Sequence, residues 1–142
     1  MLQQDPIAPH GGTLVDLLVP ETERNAAWER AGNLPKLTVN ARELSDLEML
    51  AVGALSPLTG FQAEKDYRAI LDGMHLSGGL PWTIPVTLSL DEEERKRIGG
   101  ADEVALTTED GGEPLAVVSV EDVYKRDREA EATGVFGTTD LE

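Results

Sequence analysis

The chain has 142 residues and no cysteine, and its 12 basic side chains stand against 27 acidic ones, a formal net charge of -15 at pH 7. The absence of cysteine excludes disulfide scaffolds, thiol catalysis, iron–sulfur clusters and cysteine-ligated zinc. The charge makes nucleic acid and anionic membrane surfaces poor partners, because a strongly negative field repels phosphate groups.

The first third of the sequence predicts one helix and short extended segments. Leu14–Val19 is apolar and follows a Gly-Gly turn, which predicts a short strand or a helical turn. Pro20 favours the start of a helix, and the acids after it extend the prediction over Glu21–Ala31. Leu34–Val39 then predicts a short strand.

Two amphipathic helices are predicted next. Asn40 and Glu43 have the spacing of a capping box, and apolar residues then recur at helical intervals, so a helix is predicted over residues 41–53 with one buried face. A loop through Ser56 and Phe61 follows. A second apolar face predicts a helix over residues 64–75.

The remainder predicts mostly strands. Trp82–Leu90 alternates apolar and polar residues, which indicates a half-buried strand, and Pro85 places it at an edge or a bulge because proline cannot donate to a ladder. Asp91–Ile98 carries four acids followed by three bases and predicts a solvated helical turn with local ion pairs.

Two strands, Glu103–Thr108 and Leu115–Val120, are joined by a loop with an Asp-Gly turn signal, which predicts a hairpin. An acidic helix is predicted over residues 121–133. The element order indicates one domain over residues 1–140 with an α+β fold, a small β-barrel with flanking helices.

Catalytic patterns are nearly absent from the sequence. The two histidines, His10 and His75, lie 65 residues apart without metal-ligand spacing, and neither a nucleophile elbow nor a standard phosphate loop occurs. Four Gly-Gly pairs predict turns. One of them, in His10–Thr13, is flanked by an imidazole and a hydroxyl and is a candidate anion- or nucleotide-binding turn. The residues alone otherwise indicate a domain without catalytic, cofactor-binding or metal sites.

Several ordered stretches resemble the ATP sulfurylase (sulfate adenylyltransferase) family. Ser45–Phe61 is similar to a helix-and-loop signature near the start of that family, and Leu80–Leu88 to the stretch that follows it. The other similar stretches are His10–Val15, Val120–Tyr124 and Val135–Asp140. Together they cover the chain from about residue 8 to residue 140.

The resemblance implies a PUA-like N-terminal domain that precedes a catalytic domain. The family enzyme joins sulfate to the α-phosphate of ATP, releasing pyrophosphate, and Mg-ATP is its substrate. The family's catalytic motifs, Gln-x-Arg-Asn, His-x-x-His and Gly-Arg-Asp, lie in the later domain, and none occurs here. Lys125-Arg126-Asp127 comes nearest to the last and lacks its glycine. The resemblance therefore implies no catalytic residue, no cofactor and no metal ligand in this chain.

The expected partner is the catalytic domain of the same enzyme, which is expected to be cytoplasmic. This domain is also expected to contribute to homo-oligomer contacts. Neither nucleic acid nor a membrane is an expected partner. The chain is expected to be cut from a longer protein, with Leu141-Glu142 left by cloning. The alternatives are an independent acidic PUA-like interaction module and direct ligand binding at His10–Thr13. If a partner covers Leu58, Phe61 and Val135-Phe136, those side chains should form an exposed apolar patch in this chain.

Overall fold

The computed structural model describes residues 6–140, so Leu141 and Glu142, with their predicted cloning origin, lie outside the described residues. No helix among residues 6–140 has the length and apolar character needed to cross a membrane. A short 3-10 turn at His10–Gly12 comes first. The helices and strands after it, in chain order, are α1 (Arg24–Gly32), β1 (Lys36–Thr38), α2 (Ala41–Ala51), α3 (Glu64–Gly73), α4 (Glu92–Ile98), β2 (Glu103–Thr107), β3 (Ala116–Ser119) and α5 (Arg128–Gly134).

The three strands form one mixed sheet in the order β1-β2-β3. β2 and β3 pair antiparallel, with Glu103 opposite Ser119, so the predicted hairpin is confirmed. β1 pairs parallel with β2, and Lys36 lies opposite Ala105. The α+β class is thus borne out, whereas the described strands do not close on themselves and a barrel is not confirmed.

A first apolar core covers one face of this sheet. It is built from buried side chains of β1, β2 and α4, and half-buried residues of α2 and β3 pack against it. Leu44 and Leu47 are the contributions of α2, and they lie on the face that its helical periodicity predicts. The buried members are Leu37, Val39, Ile98, Val104 and Leu106.

A second apolar core joins α2 and α3 to the loops on either side of them. Leu50 and Ile70 are its helical members, and Phe61 packs against both cores and so connects them. Leu58 is buried here, and Phe61 is half-buried. The expectation of an exposed patch over Leu58 and Phe61 is therefore wrong, because this loop folds back onto its own domain. Phe136 alone matches that expectation, at 67% exposed.

The segment 82–90 is extended but forms no strand, which corrects the prediction for Trp82–Leu90. Val86 in this segment forms two hydrogen bonds with a loop residue, Gln62. The backbone amide of Gln62 donates to the Val86 carbonyl, and the Val86 amide donates to the side-chain Oε1 of Gln62. The Ser89 amide donates to the Glu43 carboxylate instead of to a neighbouring strand. The alternation reflects the burial of Val86 and the partial burial of Leu88, and the amides of Val86 and Ser89 donate to side-chain oxygens instead of to a neighbouring strand.

Other boundaries also differ from the predictions. Pro20–Glu23 forms a turn, so α1 begins three residues later than predicted. α5 begins at Arg128 rather than near residue 121, because the Asp127 side chain caps it by accepting from the Ala130 amide. Residues 121–127 are instead without regular structure.

The apolar stretch near the start of the chain, predicted as a strand or helical turn, is a strap without regular structure (residues 13–19). It is tied to the end of α2, where the Leu17 amide donates to the Ala51 carbonyl and the Val15 amide donates to Ser56 Oγ. Gly53 permits this approach: its φ is +80°, and a Cβ there would overlap the Val15 carbonyl oxygen. The strap therefore contacts the C-terminal end of α2, and four of its apolar side chains are exposed: Leu14, Leu17, Leu18 and Val19.

Candidate interaction surface

The candidate ligand turn, His10–Thr13, is occupied by contacts within the chain. His10 Nε2 lies 2.8 Å from the Pro81 carbonyl oxygen, and the imidazole ring tilts against Trp82. The Gly12 amide donates to the Pro9 carbonyl at 2.8 Å. Gly11, at φ +74°, lies so close to Pro57 that a Cβ would meet it at 2.9 Å. The turn thus fastens His10 to Pro81 and Trp82.

His75 reaches the same segment by a different route. Its backbone forms an isolated bridge with Pro81, and its Nδ1 lies 2.8 Å from the Leu76 carbonyl oxygen. Both histidines therefore have a ring nitrogen beside a backbone carbonyl. Within residues 6–140, no group of three or more His, Asp or Glu side chains is arranged to hold a metal ion.

The charged helix α4 has the solvated ion pairs that its sequence predicts. Asp91 and Glu94 form a capping box, and Arg95 and Arg97 pair with Glu92 and Glu94 one turn earlier. Arg97 also reaches Asp110 of the β2–β3 loop at 2.9 Å. These basic side chains are held by local carboxylates, as expected for a surface helix.

The most organised polar group of the chain joins α3 to α5, and we call its four residues the clamp: Tyr67, Arg126, Asp127 and Glu131. Tyr67 is 1% exposed, and its hydroxyl donates to Glu131 Oε1 at 2.8 Å. The same hydroxyl accepts the Asp127 amide, also at 2.8 Å. Arg126 Nε donates to both oxygens of the Glu131 carboxylate, at 2.9 and 2.8 Å, and Arg126 Nη2 donates to Oε2.

The clamp changes the acidity of its members. Burial raises the pKa of Tyr67 to about 12, and the hydrogen bond to the Glu131 carboxylate adds to that shift. Burial of Glu131 would raise its pKa, but the hydrogen bonds from Arg126 and Tyr67 outweigh it, so the pKa of Glu131 is lowered. At neutral pH the ionised Glu131 carboxylate is thus paired with the Arg126 guanidinium and the neutral Tyr67 phenol.

A second tyrosine ties the extended stretch after β3 to the middle of the chain. The Tyr124 hydroxyl donates to the Gln62 carbonyl at 2.8 Å, and its ring packs against Tyr67 at 5.1 Å between centroids. Burial raises the pKa of Tyr124. Gln62 is buried, and its Oε1 accepts the Val86 amide, while its Nε2 has no hydrogen-bond partner among the described residues. Gln62 thus connects its own loop to Val86 and to Tyr124.

A buried carboxylate, that of Glu43, also connects separate segments of the chain. Glu43 is 1% exposed, and its two oxygens accept the Asn40 amide at 3.1 Å and the Ser89 amide at 2.8 Å. The first bond completes the predicted capping box. The second fixes the extended segment 82–90 to the start of α2.

Above these contacts lies an open groove of about 940 Å³ that runs beside β3. Half of the large apolar side chains that the structure leaves exposed line it: Leu17, Leu18, Val19, Trp28, Leu115 and Val123. The groove also takes in residues 114–120, the whole length of β3 and its flanks. An apolar concavity on a strongly acidic chain is the feature most suited to another polypeptide.

The Tyr67 bonds of the clamp and the second bond of Glu43 were missed from the sequence, because their partners are 46 to 64 residues apart along the chain. One signal was available. Arg126 and Glu131 carry opposite charges five residues apart, across the start of α5. The tyrosines opposite could not be assigned to it without the fold.

Comparisons with known proteins agree along nearly the whole chain. A family model described as a PUA-like domain matches residues 7–142. The sulfate adenylyltransferase of Symbiobacterium thermophilum is 47% identical over 134 residues, which are 94% of this chain and 34% of that protein. The sulfate adenylyltransferase of Hyperthermus butylicus is 42% identical, over 93% of this chain and 33% of that protein.

A solved structure, the hexameric APS kinase from Thiobacillus denitrificans, has a similar fold with a TM-score of 0.72. It is 38% identical and matches 85% of this chain but 24% of its own length. The chain thus spans about a third of the length of the curated relatives it matches, and a smaller share of that solved chain.

Proposed function

Because the chain belongs to the PUA-like domain family, we propose that it is the N-terminal domain of a sulfate adenylyltransferase, the enzyme that converts ATP and sulfate to adenylyl sulfate and pyrophosphate. The observation that carries the proposal is the likeness to enzymes of that name over more than nine-tenths of this chain, at identities of 47% and 42%. In this proposal Mg-ATP is a substrate of the parent enzyme and is bound outside this chain.

The proposed role is to support the catalytic domain. Three prominent polar groups of the described residues are bonded within the chain: His10 to the Pro81 carbonyl, Arg95 and Arg97 to carboxylates of α4, and Arg126 to Glu131. Adenylyl transfer needs cationic and hydrogen-bonding groups free to stabilise charge on phosphate and sulfate. The groove instead offers an apolar surface for protein contact.

Finer features belong to the same proposal. The sheet is proposed to be part of a PUA-like barrel, the parent enzyme is proposed to act in the cytoplasm, and the domain is proposed to contribute to homo-oligomer contacts. Support for the last comes from the solved relative, which is described as hexameric.

The test is a chimera. The 134 matched residues of the Symbiobacterium thermophilum enzyme are replaced by the corresponding residues of this chain, and sulfate-dependent pyrophosphate release is measured. The control is the same enzyme with those 134 residues deleted. We expect the chimera to be active, the deletion variant to lose at least tenfold in activity, and this chain alone to be inactive.

A soluble chimera no more active than the deletion variant would overturn the proposal. It would favour the alternative, an independent acidic PUA-like interaction module whose partner is another protein. Adenylyl transfer by this chain alone would also contradict the proposed role.

A further inference from the structure

The sheet has an outer edge, along β3, to which no other described segment is hydrogen-bonded. Val120 donates to the Asp102 carbonyl at 2.8 Å, and the register places Ser119 opposite Glu103 and Val118 opposite Val104. Backbone groups in an antiparallel pair point alternately toward and away from the partner. Those of Val118 and Val120 therefore point to β2, whereas those of Val117 and Ser119 point outward, and we call these outward groups the free edge.

The free edge lacks the features that natural proteins use to block strand pairing. Residues 115–120 are all uncharged and include three valines and no proline. Two of them, Leu115 and Ser119, are exposed. The burial of β3 is also incomplete: its residues are half-buried or exposed, while four of the five residues of β2 are buried. The same six residues line the apolar groove.

The charge around this edge selects its occupant. Between Arg97 and Lys125 the sequence has seven acidic residues and no basic one. Arg30 and Arg97 neutralise two of them, Glu103 and Asp110, from outside this stretch. The remaining acids include Glu113 before β3 and Glu121 after it, both exposed. Pairing with a second copy would bring two such acidic hairpins together, so a strand with basic residues at its ends is favoured instead.

We propose that the free edge of β3 binds an extended segment of the catalytic domain of the parent enzyme, which adds a fourth strand to the sheet with apolar residues in alternation and a basic residue near each end. This inference rests on the proposed function. The source follows from length: the matched relatives are about three times as long as this chain, so the rest of that polypeptide is tethered nearby at high effective concentration. Main-chain hydrogen bonds would supply the affinity, and Glu113 and Glu121 would set the register of the added strand by pairing with its basic residues.

Amide hydrogen exchange tests the inference directly, in the isolated chain and in the chimera described above. We expect the amides of Val117 and Ser119 to exchange rapidly in the isolated chain and at least 100-fold more slowly in the chimera. The amide of Val118, which points to β2, is the internal control and should be protected in both. An active chimera without slower exchange at Val117 and Ser119 would overturn the added strand and leave the proposed function standing.

Variants give a second measurement. Val117→Pro and Ser119→Pro remove outward-pointing donors and no donor to β2, so each isolated variant should melt within a few degrees of the parent chain. In the chimera each should lower the melting temperature by at least 5 °C more than Ser119→Ala, which keeps the amide. Equal melting temperatures for Ser119→Pro and Ser119→Ala in the chimera would contradict the inference. An inactive chimera that also shows no protection would overturn both proposals.

The charge element is tested by Glu113→Gln and Glu121→Gln in the chimera. We expect the exchange protection at Val117 and Ser119 to fall several-fold in the double variant and to fall further as salt is raised. Glu129→Gln, an exposed acid on α5, is the matched control and should leave the protection unchanged. Equal protection in the double variant and the control would refute the choice of a basic strand as occupant.

Discussion

The sheet and the α3–α5 contact are stabilised by different forces. Behind the sheet, Leu37, Val104 and Leu106 are buried among aliphatic neighbours. Between α3 and α5, a buried phenol, a carboxylate and a guanidinium are joined by hydrogen bonds. Burial of apolar surface tolerates small shifts because it has no direction, whereas the clamp fixes α5 in one position because its bonds do. The first region therefore sets stability, and the second sets geometry and responds to pH.

The largest expected loss of stability is in the apolar core behind the sheet. Leu106 is 0% exposed, so Leu106→Ala removes buried methyl groups and leaves a cavity, which should lower the free energy of unfolding by about 2–5 kcal/mol. Urea unfolding at pH 7 and pH 5 should give the same loss, since no charge is involved. Leu115→Ala, at a half-exposed leucine of the same hairpin, should cost less than about 1 kcal/mol. A loss at Leu106 that varies strongly with pH would break the comparison.

The second effect concerns the clamp. Glu131→Gln keeps the size of the side chain but removes the charge that pairs with Arg126, so it should lower the free energy of unfolding by about 2 kcal/mol at pH 7. Because the pKa of Glu131 is lowered on folding, its ionised form contributes stability above its ordinary pKa and loses it as pH falls through the lowered value. The difference from the parent chain should therefore shrink in acid. Glu129→Gln, exposed on the same helix, should cost nothing measurable, and equal costs for the two would contradict the role of the clamp.

An alkaline effect of similar size is expected from Tyr67. Its pKa rises from 10.0 to about 12 on folding, so the stabilising difference is complete below pH 10 and is lost as pH rises toward 12. The loss should be roughly 2 kcal/mol. Unfolding followed by circular dichroism between pH 9 and pH 12 measures it. Tyr67→Phe should make the alkaline loss smaller without abolishing it, because burial also raises the pKa of Tyr124. An unchanged profile in Tyr67→Phe would assign the alkaline loss to other groups.

The smallest effect is expected at an ion pair that lies on the surface, in contrast to the partly buried pair of the clamp. Arg95 and Glu92 lie 3.9 Å apart with side chains 62% and 70% exposed, so water screens them. Arg95→Ala should change the free energy of unfolding by less than about 0.5 kcal/mol. A cost approaching that of Glu131→Gln would mean that burial does not distinguish the two ion pairs.

The sequence predicted the helices better than the extended segments, for a physical reason. Helical periodicity and caps are local, so Asn40 and Glu43 place the start of α2, and Asp91 and Glu94 place that of α4. Alternation of apolar residues reports burial of one face and not the identity of the hydrogen-bond partner. The segment 82–90 has that alternation, but Gln62 and Glu43 supply its partners.

The surface was less predictable than the fold. The absence of family catalytic motifs could be seen in the sequence, and so could the acidic surroundings of β3. The clamp could not, because Tyr67 and Glu131 look like an ordinary core residue and a solvated acid until α3 and α5 come together. Burial of Leu58 was likewise decided by the path of a loop, which periodicity does not describe.

The parallel pairing of β1 with β2 has a consequence for the order of folding. Lys36 finds its partner, Ala105, only after the chain has passed through three helices, whereas β2 and β3 are neighbours along the sequence. Closing such a long loop is slow compared with forming a hairpin. During synthesis the strand Lys36–Thr38 must wait until residues 103–107 have left the ribosome. The sheet is therefore completed late, from its C-terminal hairpin backward.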